Sequence, residues 1–215
     1  MIRKSVFILP IILTVALFLT SCASEPKRFE AEFLQLFDTK TTIIGYTKSK
    51  EDFADKVRVI YDNLKAYHEL YDIYNDYDGI NNIKTINDNA GISPVKVDRK
   101  IIDLLLFAKE AYEMSNGKVN VAFGAVLKIW HDYREAGIEN PDEASIPPME
   151  LLTAAAGHTD ISKMIIDEEA STVYLEDPEM SLDVGAIAKG YATEMAARIA
   201  EEIGFTNASI SVGGN

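Results

Sequence analysis

Apolar residues recur along this chain at spacings that change from element to element, and the changes divide it into segments. Phe29 to Tyr46 is rich in Phe, Leu, Thr and Ile without helical spacing and predicts a strand pair. Phe53, Val57, Ile60, Leu64, Tyr67 and Tyr71 then follow at steps of four and three, the stripe of an amphipathic helix. Ser49, with Asp52 three residues on, supplies its capping box. Tyr74 to Gly91, dense in Asn, Asp and Gly, predicts a loop with a short helical turn near Ile83 to Asn87. Asp98 caps a second helix with Ile101, Leu104, Leu105, Ala108 and Tyr112 on one face, and Ser115-Asn116-Gly117 stops it.

Val119 to Tyr133 carries Phe123, Val126, Leu127, Ile129 and Trp130 and predicts a second buried segment. After the polar stretch Asn140 to Pro148, the two prolines open a short helix, Met149 to Ala156, that Gly157 ends. Met164 to Asp167 and Thr172 to Leu175 flank Glu168 to Ser171 as a hairpin, with the two glutamates at a solvated tip. A last helix from about Ala188 to Ile203 stops at Gly204, and Ser209 to Val212 begins a strand. These elements predict an α+β fold, helices on a largely antiparallel sheet; a parallel βαβ arrangement fits less well because the early elements do not alternate.

The amino terminus has a different character. Arg3 and Lys4 precede an apolar run from Val6 to Leu19, about 14 residues, shorter than the ~20 a spanning helix needs. Leu19-Thr20-Ser21-Cys22 resembles the bacterial lipobox. The expectation is a lipoprotein signal peptide over 1–21, a lipidated Cys22, a tether over 22–28, and an exported body anchored to the outer face of the bacterial cell membrane. An ordinary signal peptide with an incidental cysteine is the alternative.

Composition narrows the function. One cysteine in 215 residues excludes an internal disulfide framework and any zinc site of several thiolates. The net charge of -13 opposes sequence-independent nucleic-acid binding. Removing residues 1–21 takes two bases and no acid, leaving 19 bases against 34 acids and a net of -15. An anionic ligand would then need a local cation, a helix amino terminus or a metal.

Such a place exists in Asp183-Val184-Gly185-Ala186-Ile187-Ala188-Lys189-Gly190-Tyr191. Small residues around a single lysine, ahead of a helix, let backbone and ammonium approach a phosphate. Glycine before a helix also serves as a plain tight turn, and Asp183 as a cap. The three histidines, His68, His131 and His158, share no ligand spacing and read as structural. Tyr67, Tyr71 and Tyr74 read as core.

The run from Asp183 to Tyr191 resembles the D-x-G-x-x-A-K-G-Y signature of the ApbE family, magnesium-dependent FAD:protein FMN transferases. Four further segments resemble that family in the same order. Phe37-Asp38-Thr39 stands at M-G-T; Tyr77 with Asn87 resembles Y-x(9)-N; Ser115 to Asn120 resembles S-x-G-x-F-D; and Ser211 to Asn215 resembles V-x-x-G-G. Val119-Asn120 departs from F-D, and Phe37-Asp38 from M-G.

The resemblance implies transfer of FMN from FAD to a threonine hydroxyl of an acceptor protein, with release of AMP. It implies that Asp183 and Lys189 contact FAD, and that the Ala186 carbonyl is one Mg2+ ligand. Phe37, Tyr77, Lys118, Val119 and Asn120 would line the pocket. Implied acceptors are flavin-bearing subunits of membrane redox complexes or exported flavoproteins. The family's other metal ligands, in a D-x-x-x-T-type motif, have no counterpart among these 215 residues. A C-terminally truncated, inactive fragment over 29–215 is therefore expected. A lipid-anchored flavin-binding protein and an FAD pyrophosphatase are the alternative activities.

Overall fold

The structure, a computed structural model, describes residues 25–214. The signal peptide and Cys22 expected above lie outside the described residues, as do the first part of the tether and Asn215.

Strands β1 (Lys27–Leu36) and β2 (Thr39–Thr47) form an antiparallel hairpin whose register slips between Phe33 and Leu36. On β2, Thr41, Ile43, Gly45 and Thr47 are buried while their neighbours are not, the period of two expected where one face packs inward. Helix α1 (Lys50–Tyr71) buries Phe53, Ile60, Leu64, Tyr67 and Tyr71 of the stripe read from the sequence and Leu70 beside it, while Val57 is half-buried. Ser49 Oγ accepts the Asp52 N–H at 3.2 Å, but the Asp52 carboxylate pairs with Lys56. No reciprocal bond back to the Ser49 N–H is formed, so the cap is half of the predicted box.

Helix α2 (Ile83–Asp88) is capped reciprocally by Asn82 and Thr85. After the short strand β3 (Val95–Lys96), Asp98 accepts the Lys100 N–H and opens α3 (Arg99–Met114), which buries Ile101, Ile102, Leu104, Leu105 and Ala108. Asn116 (φ 51°) and Gly117 (φ 78°) in the left-handed region turn the chain away from it.

Helix α4 (Gly124–Glu139) departs from expectation. It forms over the apolar run but buries only Gly124 and Val126, leaving Phe123, Leu127 and Trp130 exposed. The sequence marked a buried segment there without assigning it a helix; the structure makes it a helix and turns most of its apolar side outward. Helix α5 (Met149–Ala156) lies against α4 with none of its residues fully buried.

Strands β4 (Met164–Asp167) and β5 (Thr172–Leu175) form the predicted hairpin, and β3 adds to β5 to give an antiparallel sheet of order β3-β5-β4. Helix α6 (Gly185–Glu202) starts three residues earlier than the sequence suggested. Its buried stripe is Ala188, Ala192, Ala196 and Ala200, small enough for close approach to α1. Strand β6 (Ala208–Val212) then pairs antiparallel with β2, completing a sheet of order β1-β2-β6. The architecture is α+β as expected, with the strands divided between two three-stranded antiparallel sheets. One apolar cluster joins α1, α3, α6 and both sheets.

Candidate active site

Three segments distant in sequence meet around one cavity of about 350 Å³. The β1–β2 hairpin tip supplies Phe37 and Asp38. The end of α1 and the loop after it supply His68, Tyr71 to Asn75, and the start of α6 supplies Asp183, Val184, Gly185, Ala188 and Lys189. Asp183 and Lys189 thus share a wall, six residues apart across the first turn of α6.

Each wall has a local cause. Asp183 precedes α6, and its Oδ1 accepts the Gly185 N–H at 2.8 Å, satisfying a donor that the helix leaves open. The Asp183 N–H donates to the Val121 carbonyl at 2.8 Å, and Ser181 closes on Gly124 so tightly that a Cβ there would lie 2.4 Å from the Ser181 carbonyl oxygen. Asn87 holds the same segment from the other side. Its carboxamide accepts the Leu182 N–H at 2.7 Å and donates to the Leu182 carbonyl at 3.0 Å. Lys189 forms no ion pair among the described residues and is the one ammonium facing a cavity that also presents Asp38, Asp72 and Asp183.

The α1 wall is wired internally. Asp72 accepts N–H bonds from Tyr74 and Asn75, the Asn75 side chain at 2.9 Å and the Tyr77 hydroxyl at 2.7 Å. Burial works against its charge, but these donors outweigh it and hold the carboxyl below the usual carboxylate range. Burial first, and then the bond to Asp72, push the Tyr77 phenol up, so it stays a neutral donor.

The expected site residues therefore separate. Phe37, Asp183 and Lys189 line the cavity together, and Ala186 lies in the adjoining first turn of α6. Tyr77 stands behind the wall, bonded to Asp72. The aromatic at the opening is Tyr74, which the sequence placed in the core; it is 56% exposed and lies 5.1 Å from the His131 ring.

Lys118, Val119 and Asn120 are not among the lining residues. The Val119 N–H goes to Ser115 Oγ, while Asn120 caps the turn at Ala122 and bonds the Thr159 carbonyl. This segment reaches the site only through Val121, which anchors Asp183. Sequence reasoning also set aside His68 as structural, yet it lines the cavity. The available signal was its position four residues before Asp72 on one helical face.

Tyr74 and Asp183 also border two neighbouring hollows. One of about 360 Å³ lies against Asn87, Lys128 and His131, and another of about 560 Å³ against Trp130, Arg134 and Ile138. The exposed apolar side of α4 thus borders hollows that share Tyr74 and Asp183 with the cavity. The glycine turn after β6 packs on the start of β2: the Gly213 N–H donates to the Lys40 carbonyl at 2.9 Å, and a Cβ on Gly213 would lie 2.8 Å from Thr39 Oγ1.

Among the described residues no group of three His, Cys, Asp or Glu side chains converges as a metal site. Ala186 offers one carbonyl, whereas Mg2+ takes six oxygens with charged help. The described residues do not by themselves fit the ion. Among them, no helix is long and apolar enough to cross a membrane.

A family model described as the ApbE family matches residues 37–215. An FAD:protein FMN transferase of Klebsiella pneumoniae (strain 342) is 31% identical over 156 residues, covering 73% of this chain and 46% of that protein. One from Treponema pallidum (strain Nichols) is 32% identical over 138 residues, 62% of this chain and 36% of the relative. Among solved structures, the ApbE protein of Thermotoga maritima superposes with a TM-score of 0.70 at 22% identity, over 87% of this chain and 57% of that one. The flavin transferase ApbE of Vibrio cholerae gives 0.72 at 17% identity, over 88% and 58%. The chain spans about half the length of the curated relatives it matches.

Proposed function

The chain belongs to the ApbE family, and on that premise we propose that the protein is an FAD:protein FMN transferase. The acceptor's threonine oxygen forms a bond to the flavin-side phosphorus of FAD. The anhydride bond to AMP breaks, AMP leaves, and the hydroxyl proton passes to solvent. The observation that carries the reading is the joint wall of Asp183, Gly185 and Lys189 in one cavity with the Phe37–Asp38 tip. An ammonium free of carboxylate partners beside a helix amino terminus suits a diphosphate in an otherwise acidic surround. The adjoining hollows around Tyr74 extend the available room beyond that one cavity.

Mg2+ dependence, the threonine acceptor and AMP release are parts of this reading that rest on the resemblance. When bound, the ion would neutralise phosphate oxygens. Of the residues described, the Ala186 carbonyl is the one ligand the resemblance would give it. The acceptors proposed are flavin-bearing subunits of membrane redox complexes or exported flavoproteins. Cys22 is proposed as the lipid attachment point on the outer face of the cell membrane; C22A should shift the protein from the membrane to the soluble fraction.

Incubating the protein with FAD, Mg2+ and a threonine-bearing acceptor tests the activity. Covalent fluorescence on the acceptor supports transfer. Free FMN and AMP would indicate hydrolysis instead, and bound but unchanged FAD a binding protein. K189A should weaken FAD by roughly tenfold, about 1.4 kcal/mol; unchanged affinity would remove the observation on which the reading stands.

A further inference from the structure

The hairpin tip at the cavity mouth has an unusual backbone. Phe37 (φ 54°) and Asp38 (φ 50°) both occupy the left-handed region, which an aspartate tolerates but a phenylalanine resists. Two-residue hairpin turns of this kind favour Asn-Gly because side chains resist that conformation. An outside contact therefore has to hold the tip, and it comes from α1. The Phe37 N–H donates to His68 Nδ1 at 3.2 Å, and the two rings meet edge to face at 5.5 Å.

The rest of the network fixes which imidazole nitrogen accepts. Tyr77 commits its hydroxyl proton to Asp72 at 2.7 Å and faces His68 Nε2 at 3.4 Å with its oxygen. The proton of a neutral His68 accordingly sits on Nε2, and Nδ1 is left with its lone pair toward Phe37. A second proton would go onto Nδ1, placing one donor against another and forfeiting the bond.

We propose that His68 is a positioning residue that holds the Phe37–Asp38 tip at the nucleotide cavity only while neutral, so that acidification releases the tip and weakens flavin-nucleotide binding. The titratable groups around His68 are those that share its cavity, the Tyr77 hydroxyl at Nε2, and its neighbours along α1. Tyr71, Asp72 and Tyr77 lie at and after the end of α1, Glu69 with its partner Lys65 on α1, Asp38 on the tip, and Asp183 and Lys189 across the cavity. Asp72 at the end of α1 and Asp183 across the cavity, neither of which moves with the tip, give an imidazolium freed from Phe37 carboxylate partners. The affinity consequence rests on the flavin reading above; the tip coupling does not.

The test has a ligand-free arm and an FAD arm. In NMR spectra of the labelled protein, the Phe37 amide should titrate with the same midpoint as the His68 ring, and His68 should carry its neutral-state proton on Nε2. FAD affinity of the wild type should weaken about five- to tenfold between the neutral and the charged His68 ring, the two states being read from the same NMR titration. H68L, with no acceptor, should bind weakly at both of the corresponding pH values. H68N, whose carboxamide oxygen takes the place of Nδ1 without titrating, should bind more tightly than H68L and lose the pH dependence. A Phe37 amide that ignores His68, or an H68L profile superimposable on the wild type, would overturn the proposal while FAD binding still supports the flavin reading. Coupled titration without FAD binding at either pH would overturn the flavin reading and the affinity half of this one.

Discussion

Single residues set the geometry of the cavity mostly from behind it. Asn87 does not line the main cavity, yet its carboxamide brackets Leu182, the residue before Asp183. N87A should cost about 1–2 kcal/mol in chemical denaturation, since two backbone groups lose a partner in a half-buried place. It should also weaken FAD binding by letting Asp183 drift. Gly124 acts through absence of volume: an added Cβ would lie 2.4 Å from the Ser181 carbonyl oxygen and 2.9 Å from the Leu182 carbonyl carbon, and backbone cannot swing aside as a side chain can. G124A should therefore destabilise by about 1–3 kcal/mol and reduce FAD affinity in the same titration. Asn87 was legible in the sequence as a member of a spaced pair with Tyr77, but its partner lies 95 residues on, beyond any local pattern.

At the scale of elements, capping chemistry was the most readable feature because it is decided within three or four residues. Ser49 and Asp98 each accept a backbone N–H at the helix starts the sequence assigned to them. D98A should lower stability by about 1 kcal/mol in a urea melt and leave FAD affinity unchanged, because α3 contributes nothing to the cavity lining. Helix α4 shows the limit of periodicity. Its apolar residues were enough to form a helix, but Phe123, Leu127 and Trp130 remain exposed. Tyr74 and Tyr77 exchanged expected roles for a related reason. Asp72, at the end of α1, captures the Tyr77 hydroxyl, and Tyr74 is left at the opening. Spacing counts residues; it does not say which of two tyrosines a carboxylate will take.

For the whole molecule, the periphery of the second sheet is tied together by a charged cluster far from the cavity. Asp177, with an 8% exposed side chain, accepts from Lys163 at 2.9 Å, from His158 Nδ1 at 3.0 Å and from the Glu179 N–H at 3.0 Å. The bond from Lys163 chiefly, against burial, lowers its carboxyl to about 2. A depressed carboxyl favours the folded chain above the ordinary aspartate value of ~3.9. That contribution is lost as pH falls toward about 2. Thermal melts should thus drop steeply between about pH 4 and pH 2. D177N should melt lower at neutral pH, by about 1–3 kcal/mol in stability, and show a flatter acid limb. An acid limb identical in the two proteins would assign the loss to other carboxylates.

The sequence by itself determined the helices, hairpins and caps, because periods of 3.6 and 2 and the capping bonds are satisfied within a turn or a pleat. It also determined the Asp183 to Tyr191 run, whose residue types are local to one stretch of chain. The division of strands into two sheets was decided only by tertiary structure. So were the outward face of α4, the withdrawal of Lys118 to Asn120 from the cavity, and the meeting of Phe37 with His68. Each depends on contacts between segments tens of residues apart, where competing partners are ranked by packing and by the need to satisfy buried polar groups, neither of which a linear pattern encodes.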